Sequence, residues 1–333
     1  MATAETSGSG QLGTLDRMQP LLLIGAIAIG LTLAELAPGI AARLGWLVSV
    51  GVFALIYLIM LGVHERNILK AFRQRRPMII ALGLNFVFTP ILAYGLGWLF
   101  LSNHPEIWVG LILYLVTPCI GWYLVFTDLA GGDIELGVGL LFWNILLQML
   151  LIPVYLWLLA GQLVGVDMGI VLRSVGLFLI LPYALAWVTR RFLAAQNGGA
   201  TPVKDRLPLG LLKTAALMLV IAAMFASQGS ILLENPAIIL LMIGPGVAFF
   251  VVIFVVALAA SRMANLTYPQ TALVVFTTAA RNSEVSLAVA VTAFASPLIA
   301  LTVVIGPAIE LPILILILHV LKRLQAGWSA SQH

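Results

Sequence analysis

Ten apolar runs, most of them close to twenty residues long, follow one another along this chain of 333 residues. They fall at 20–37, 45–63, 78–101, 107–130, 136–159, 169–189, 207–226, 236–260, 268–295 and 297–320. About 20 apolar residues in helical form cross the ~30 Å hydrocarbon layer of a bilayer. Inside that layer only helices or a closed barrel leave no backbone group unpaired. With 62% hydrophobic and 9% charged residues, the chain is far from the ~25% charge of a water-soluble domain. The runs therefore predict an all-α integral membrane protein with ten transmembrane helices.

Ten spans place both termini on one side of the membrane. The loop 64–77 carries Arg66, Lys70, Arg73, Arg75 and Arg76, and the loop 190–206 carries Arg190, Arg191, Lys204 and Arg206. Arg17, Arg262, Lys322 and Arg323 fall on the same side, making thirteen of the seventeen Lys and Arg. Basic loops stay cytoplasmic, so both termini are expected in the cytoplasm and the protein in the cell membrane. The net charge of +4 has the same origin and does not indicate nucleic-acid binding. Residues 1–16, polar and rich in Ser, Gly and Thr, read as a disordered tail without a cleavable signal. Residues 17–323 read as the membrane domain and 324–333 as a C-terminal tail. Cys119 stands alone, and His64, His104, His319 and His333 lack zinc-site spacing, so neither a disulfide nor a metal or other cofactor is expected.

The stretch 196–202, Gln-Asn-Gly-Gly-Ala-Thr-Pro, is the one linker-like segment, but the midpoint lies earlier, near 161–167. Division there gives five spans in 17–160 and five in 169–323. An odd number per half forces the second half to run upside down relative to the first, the inverted-repeat plan of many secondary transporters. The fourth and ninth runs, equivalent under that plan, each carry a polar interruption near mid-membrane: Thr117-Pro118-Cys119 in one and Arg281-Asn282-Ser283-Glu284 in the other. Paired broken helices at corresponding positions point to a transporter's binding site.

Glu284 is a carboxylate near mid-bilayer and hence a functional candidate. Either Arg281, its i, i+3 neighbour, merely neutralises it, or it exchanges protons with transport; Asn282 and Ser283 add hydrogen-bonding groups. Glu310, within Gly306-Pro307-Ala308-Ile309-Glu310-Leu311-Pro312, reads equally as a second proton carrier or as a cap on a distorted helix. Asn144 and Gln148, at i, i+4 on the fifth span, either line a cavity or bond helix to helix; for Asn85 and Thr89 on the third span the helix-to-helix reading is preferred. Cys119 is either a small buried hydrophobe or, just past Pro118 at the start of a half-helix, a thiolate favoured by the helix N-terminus.

Three segments carry a family resemblance: Thr117-Pro118-Cys119-Ile120-Gly121-Trp122 with Thr127-Asp128-Leu129-Ala130-Gly131-Gly132-Asp133; Ala280-Arg281-Asn282-Ser283-Glu284 with Leu287-Ala288-Val289-Ala290; and 306–312. In this order they resemble the fourth-, ninth- and tenth-helix motifs of the arsenical-resistance arsenite efflux permeases, within the bile acid/sodium symporter superfamily. Ser283 stands where many members carry an aromatic residue. The resemblance implies a panel domain of spans 1, 2, 6 and 7 beside a core domain of spans 3–5 and 8–10, with the broken fourth and ninth helices crossing in the core. It implies export of arsenite, and of antimonite in some members, in exchange for protons, with Cys119 as the required cysteine and Glu284 as the ninth-helix glutamate. Cys119, Asn144, Gln148, Asn282 and Ser283 are then the substrate-binding candidates, Glu284 and Glu310 the proton-coupling ones, and Arg281 a charge partner.

Trivalent arsenic is soft and thiophilic, which suits a single reversible thiolate. The alternative is sodium-coupled uptake of an organic anion, with Arg281 meeting a carboxylate. A membrane enzyme is the other class considered. Gly131-Gly132-Asp133 is similar to an aspartyl-protease loop, but no second catalytic Asp motif and no His-Glu-x-x-His sequence accompanies it.

Overall fold

The computed structural model describes residues 22, 24–61, 74–119, 122–164, 168–195, 208–234 and 237–330. Most of the basic loop 64–77, the stretch 196–202, the tail 1–16 and both Lys204 and Arg206 lie outside the described residues. The described chain is helical, its only β-type pairing being a single antiparallel bridge. In order the main helices are α1 (Ile24–Leu36), α2 (Gly45–Leu61), α3 (Arg75–Gly83), α4 (Thr89–Leu101), α5 (Pro105–Leu115), α6 (Trp122–Leu129), α7 (Ile134–Tyr155), α8 (Met168–Val175), α9 (Leu181–Ala195), α10 (Leu209–Glu234), α11 (Ala237–Met263), α12 (Tyr268–Ala279), α13 (Ser283–Ala293) and α14 (Pro297–Ala330).

Five helices among the described residues are long and apolar enough to cross a membrane: Pro38–Leu58, Arg75–Leu101, Ile134–Ala160, Ile239–Met263 and Pro297–Gln325. The fourth run is split into α5 and α6 and the ninth into α12 and α13, so neither forms one long helix. The last helix continues to Ala330, through most of the segment read as a C-terminal tail. Outward faces carry large apolar side chains, with Ile91 67%, Trp98 66% and Leu240 72% exposed. Such a surface suits lipid and would be an aggregation hazard in water.

The chain divides into two compact units, residues 1–63 with 176–236 and residues 64–175 with 237–333. In the smaller unit, glycines bring helices together. Gly30 lies against Ala222 and Phe225, Gly51 against Val220, and Gly229 against Leu31 and Ala34, all closer than a Cβ would allow. Lipid tails are as apolar as leucine, so helices associate in a bilayer through such close packing and through interhelical hydrogen bonds. One such bond joins Tyr57 to Thr189 at 3.0 Å.

The larger unit packs the halves of the broken runs against α4, α7, α11 and α14. The α5–α14 contact is a ladder of small against large: Gly110 meets Thr302, and Gly306 lies flat under the ring of Tyr114. Between α3 and α4 the helix widens into a π-turn, Leu84–Phe88. Pro90 has no N–H to give the carbonyl four residues back, and the Tyr155 hydroxyl donates to that carbonyl, Phe86 O, at 2.6 Å.

One end of the same unit is tied by polar caps. Asp133 accepts from the Leu136 N–H at 2.9 Å as the N-cap of α7 and from Gln74 Nε2 at 3.0 Å. Gln270 Nε2 donates to Gln74 Oε1 at 2.8 Å, while Thr267 and Gln270 form a capping box on α12. Gly131, at φ 72°, makes the turn that brings Asp133 into place. The Gly-Gly-Asp sequence is therefore a turn and a cap.

Candidate functional site

α5 stops at Leu115 because Pro118 cannot donate and drives the residue before it out of helical geometry. α12 stops at Ala279, with Ala280 extended at φ −72°, ψ 135°. The two unwound stretches then run antiparallel through the interior. Cys119 N–H donates to Ala280 O at 3.0 Å and Asn282 N–H to Thr117 O at 2.8 Å, with Pro118 opposite Arg281. Pro118 falls where no donor is needed. Backbone at membrane depth has to be satisfied by protein or by a cavity, and this short ladder does part of that.

Those bonds have a consequence for the helix ends. The amides that would close the next helical turn belong to Cys119, Arg281 and Asn282, and all three point elsewhere; Arg281 N–H donates to Glu310 Oε1 at 3.0 Å. The carbonyls of Leu115, Thr277 and Thr278 are left over. The Arg281 side chain, 1% exposed, takes them. Nη1 donates to Leu115 O at 2.8 Å; Nη2 donates to Thr277 O at 3.4 Å, to Thr278 O and to Asn85 Oδ1 at 2.9 Å; Nε donates to Ala279 O at 3.4 Å. Phe249 lies with its ring 5.4 Å from the guanidinium carbon. One cation thus caps the C-terminal ends of both half-helices, where the dipoles place about half a negative charge each.

Glu310 is buried, and its carboxylate joins this assembly through the Arg281 backbone and the Tyr114 hydroxyl, which donates to Oε2. Pro307 and Pro312 lie inside α14, which continues through both. Asn144 Nδ2 donates to Thr277 Oγ1 at 3.1 Å, and its Oδ1 accepts from Asn85 Nδ2 at 3.4 Å. Asn144 and Asn85 therefore hold the end of α12, and Asn85, besides its helix-to-helix bond with Asn144, is a direct partner of Arg281.

The N-terminal side of the crossing is built differently. Cys119 is buried, and its sulfur accepts the Trp122 N–H, the first of α6, at 3.2 Å. Asn282 caps α13 through Oδ1, which accepts from Val285 N–H at 3.1 Å, while its Nδ2 is buried without a protein partner among the described residues. Thr117 and Ser286 hydroxyls bond each other; Ser286 Oγ also donates to Leu113 O at 2.9 Å and to Asn282 O at 2.8 Å. Ser283 opens α13 half-buried, and Glu284 follows it. The side chain of Glu284, like Ile120 and Gly121, lies outside the described residues.

Gln148 is fully buried, with neither amide atom partnered among the described residues. α7 and α12 run the same way here, since Gly137 lies against Leu273 and Asn144 against Thr277. One turn beyond Asn144, Gln148 stands level with the break after Ala279. Sequence reasoning missed Tyr114, Ser286 and the role of Asn85. Only the i, i+4 spacing of Gly306 and Glu310, with a small residue one turn before a buried carboxylate, carried any signal for Tyr114.

The described residues form a helical molecule with apolar outer faces, whose interior holds two broken helices meeting at polar centres, the plan of a multi-pass membrane transporter; the chain's family match shows that class, a transporter and not an enzyme. The chain belongs to the sodium bile acid symporter family, whose model matches residues 49–235, more than half of its length. The arsenical-resistance protein Acr3 of Corynebacterium glutamicum is 28% identical over 94% of this chain and 90% of its own. Acr3 of Alkaliphilus metalliredigens is 22% identical over 94% and 93%, and an uncharacterized transporter of Synechocystis is 25% identical over 94% and 90%.

Proposed function

We propose that this transporter exports arsenite, and antimonite where it is present, from the cytoplasm in exchange for protons by alternating access. The observation that carries the reading is the seat of Cys119: a buried sulfur at the start of α6, its backbone paired with Ala280 two residues before Asn282, with the Asn282 amide nitrogen and the Gln148 amide both buried without partners among the described residues. Arsenous acid is neutral near pH 7, so its recognition calls for hydrogen-bonding groups and one soft ligand, not a counter-charge. Capture forms one As–S bond and breaks one As–O bond; the thiol proton leaves with the displaced hydroxide as water. The names of two relatives as arsenical-resistance proteins support the substrate.

In this reading the ten spans form two inverted repeats, 17–160 and 169–323. The unit of 64–175 and 237–333 is the moving core and the other the panel, with both termini in the cytoplasm. Glu284 carries the proton. Both oxygens of Glu310 already bind protein groups, so Glu310 serves as a positioning residue. The family description favours a second reading, sodium-coupled uptake of an organic anion. It would need Arg281 for the anion, and all three guanidinium nitrogens already donate to protein oxygens.

The test is expression in an arsenite-sensitive cell. The parent should restore growth and lower accumulated arsenic, whereas Cys119→Ser, matched in size but lacking a soft donor, should reach the membrane and transport none. Full transport by the serine variant would eliminate the thiol mechanism.

A further inference from the structure

We infer that Arg281 is a built-in cation: its guanidinium fills the oxygen cage at the crossing that would otherwise take a free monovalent metal ion, so this transporter needs no sodium there, and removing the side chain turns the cage into a sodium site. The inference goes beyond the proposed function and holds for any substrate.

Unwound carbonyls and half-helix C-terminal ends at a transporter's broken helices are the groups that bind Na⁺. Here that set is complete. The carbonyl oxygens of Leu115, Thr277, Thr278 and Ala279 and the amide oxygen of Asn85 surround one guanidinium, and each accepts from it. Two facing C-terminal ends carry about −0.5 each, so the cage calls for about one positive charge, and Arg281 supplies one. Arginine also suits the place better than lysine, because its planar fork reaches separate oxygens on two helices at once. Phe249 over the guanidinium and the 1% exposure of Arg281 leave it no route to exchange with bulk cations. The backbone is tied as well: Arg281 N–H is held by Glu310, itself held by Tyr114, so the charge is fixed to the crossing by both ends of the residue.

A tethered charge cannot be released on one side of the membrane. It travels with the core through every conformation, and the energy for transport has to come from another group. It also means that emptying the cage takes the guanidinium donor from five buried oxygens, of which, among the described residues, only Thr277 O keeps another, the Asn85 amide at 3.2 Å, a costly state in a buried site that a small dehydrated cation relieves.

The experiment compares thermal unfolding of purified parent, Arg281→Ala and Arg281→Lys in sodium chloride and in choline chloride of equal ionic strength, with no substrate present. The parent should melt at the same temperature in both salts. Arg281→Ala should melt lower than the parent in choline and recover by several degrees in sodium; Arg281→Lys should be destabilised but salt-indifferent. Specific stabilisation of the parent by sodium, or equal melting of Arg281→Ala in both salts, overturns the inference. If Arg281→Ala cannot be recovered, parent flux in vesicles decides: unchanged transport with choline replacing sodium on both sides supports the built-in cation, and loss of transport refutes it. Because the melting readout needs no substrate, failure of the arsenite reading leaves this test intact.

Discussion

Gln148 buries an amide whose oxygen and nitrogen both lack a partner among the described residues. Leaving such a group unmade costs about 1–3 kcal/mol, which a fold tolerates where a ligand completes it. Gln148→Leu, close in volume, should therefore melt at or above the parent temperature while arsenite flux falls at least tenfold. Asn85→Leu makes the contrast: it removes an acceptor from a buried guanidinium, so stability itself should drop by about 2–3 kcal/mol. A Gln148→Leu variant that both destabilises and transports normally would show that the amide has a structural partner. Glu284 calls for a different measurement. In the proposed mechanism protonation would neutralise it, so that the core could move without an unpaired charge in hydrocarbon; Glu284→Gln copies that neutral form. The variant should bind arsenite yet lose the response of flux to an imposed pH gradient in inside-out vesicles. A normal response would remove Glu284 from the coupling step.

Among elements, the α5–α14 contact sets how accurately the crossing is held. A methyl group on Gly306 would fall 2.4 Å from the Tyr114 ring, and one on Gly95, in the interior of α4, would meet nothing within 4 Å. Gly306→Ala should push Tyr114 off Glu310, loosen the anchor of the Arg281 backbone and lower both melting temperature and transport. Gly95→Ala should be neutral or stabilising by about 0.5–1 kcal/mol, since a helical glycine loses more backbone freedom on folding than alanine. Equal effects of the two would mean that the glycine ladder carries no positional role. The π-turn at Leu84–Phe88 is another such element, because the hydroxyl from Tyr155 lets the chain pass Pro90 and keep Asn85 turned inward.

For the whole molecule, the distribution of charge makes the prediction. In the proposed ten-span arrangement thirteen of the seventeen Lys and Arg fall on one side, which predicts that the loops 64–77 and 190–206 face the cytoplasm. Single cysteines placed in those loops of a Cys119→Ser background should react with an impermeant maleimide only after the cytoplasmic face is opened. Labelling in intact cells would reverse the orientation and with it the direction assigned to export. Each of the two units is assembled from segments distant in sequence.

Hydropathy made the membrane class legible, because the cost of unpaired backbone in lipid leaves few solutions for runs of about twenty apolar residues. Pro118 and the cluster at 281–284 likewise announced two broken helices, since proline and charge in mid-span each disrupt or burden a helix locally. The sequence also brought Cys119, Asn282 and Gln148 into one short set of candidates. It did not disclose what Arg281 does. Beside Glu284 it reads as half of a local ion pair, whereas its guanidinium reaches Leu115 and Asn85, residues 166 and 196 positions away along the chain. Nor did it distinguish Glu310, whose partners Tyr114 and the Arg281 backbone come from another helix and from the unwound stretch between α12 and α13. Periodicity and hydropathy report how a residue meets its own helix and the solvent. Which carbonyls lose their helical donors, and which distant side chain replaces them, is decided only when the broken ends meet.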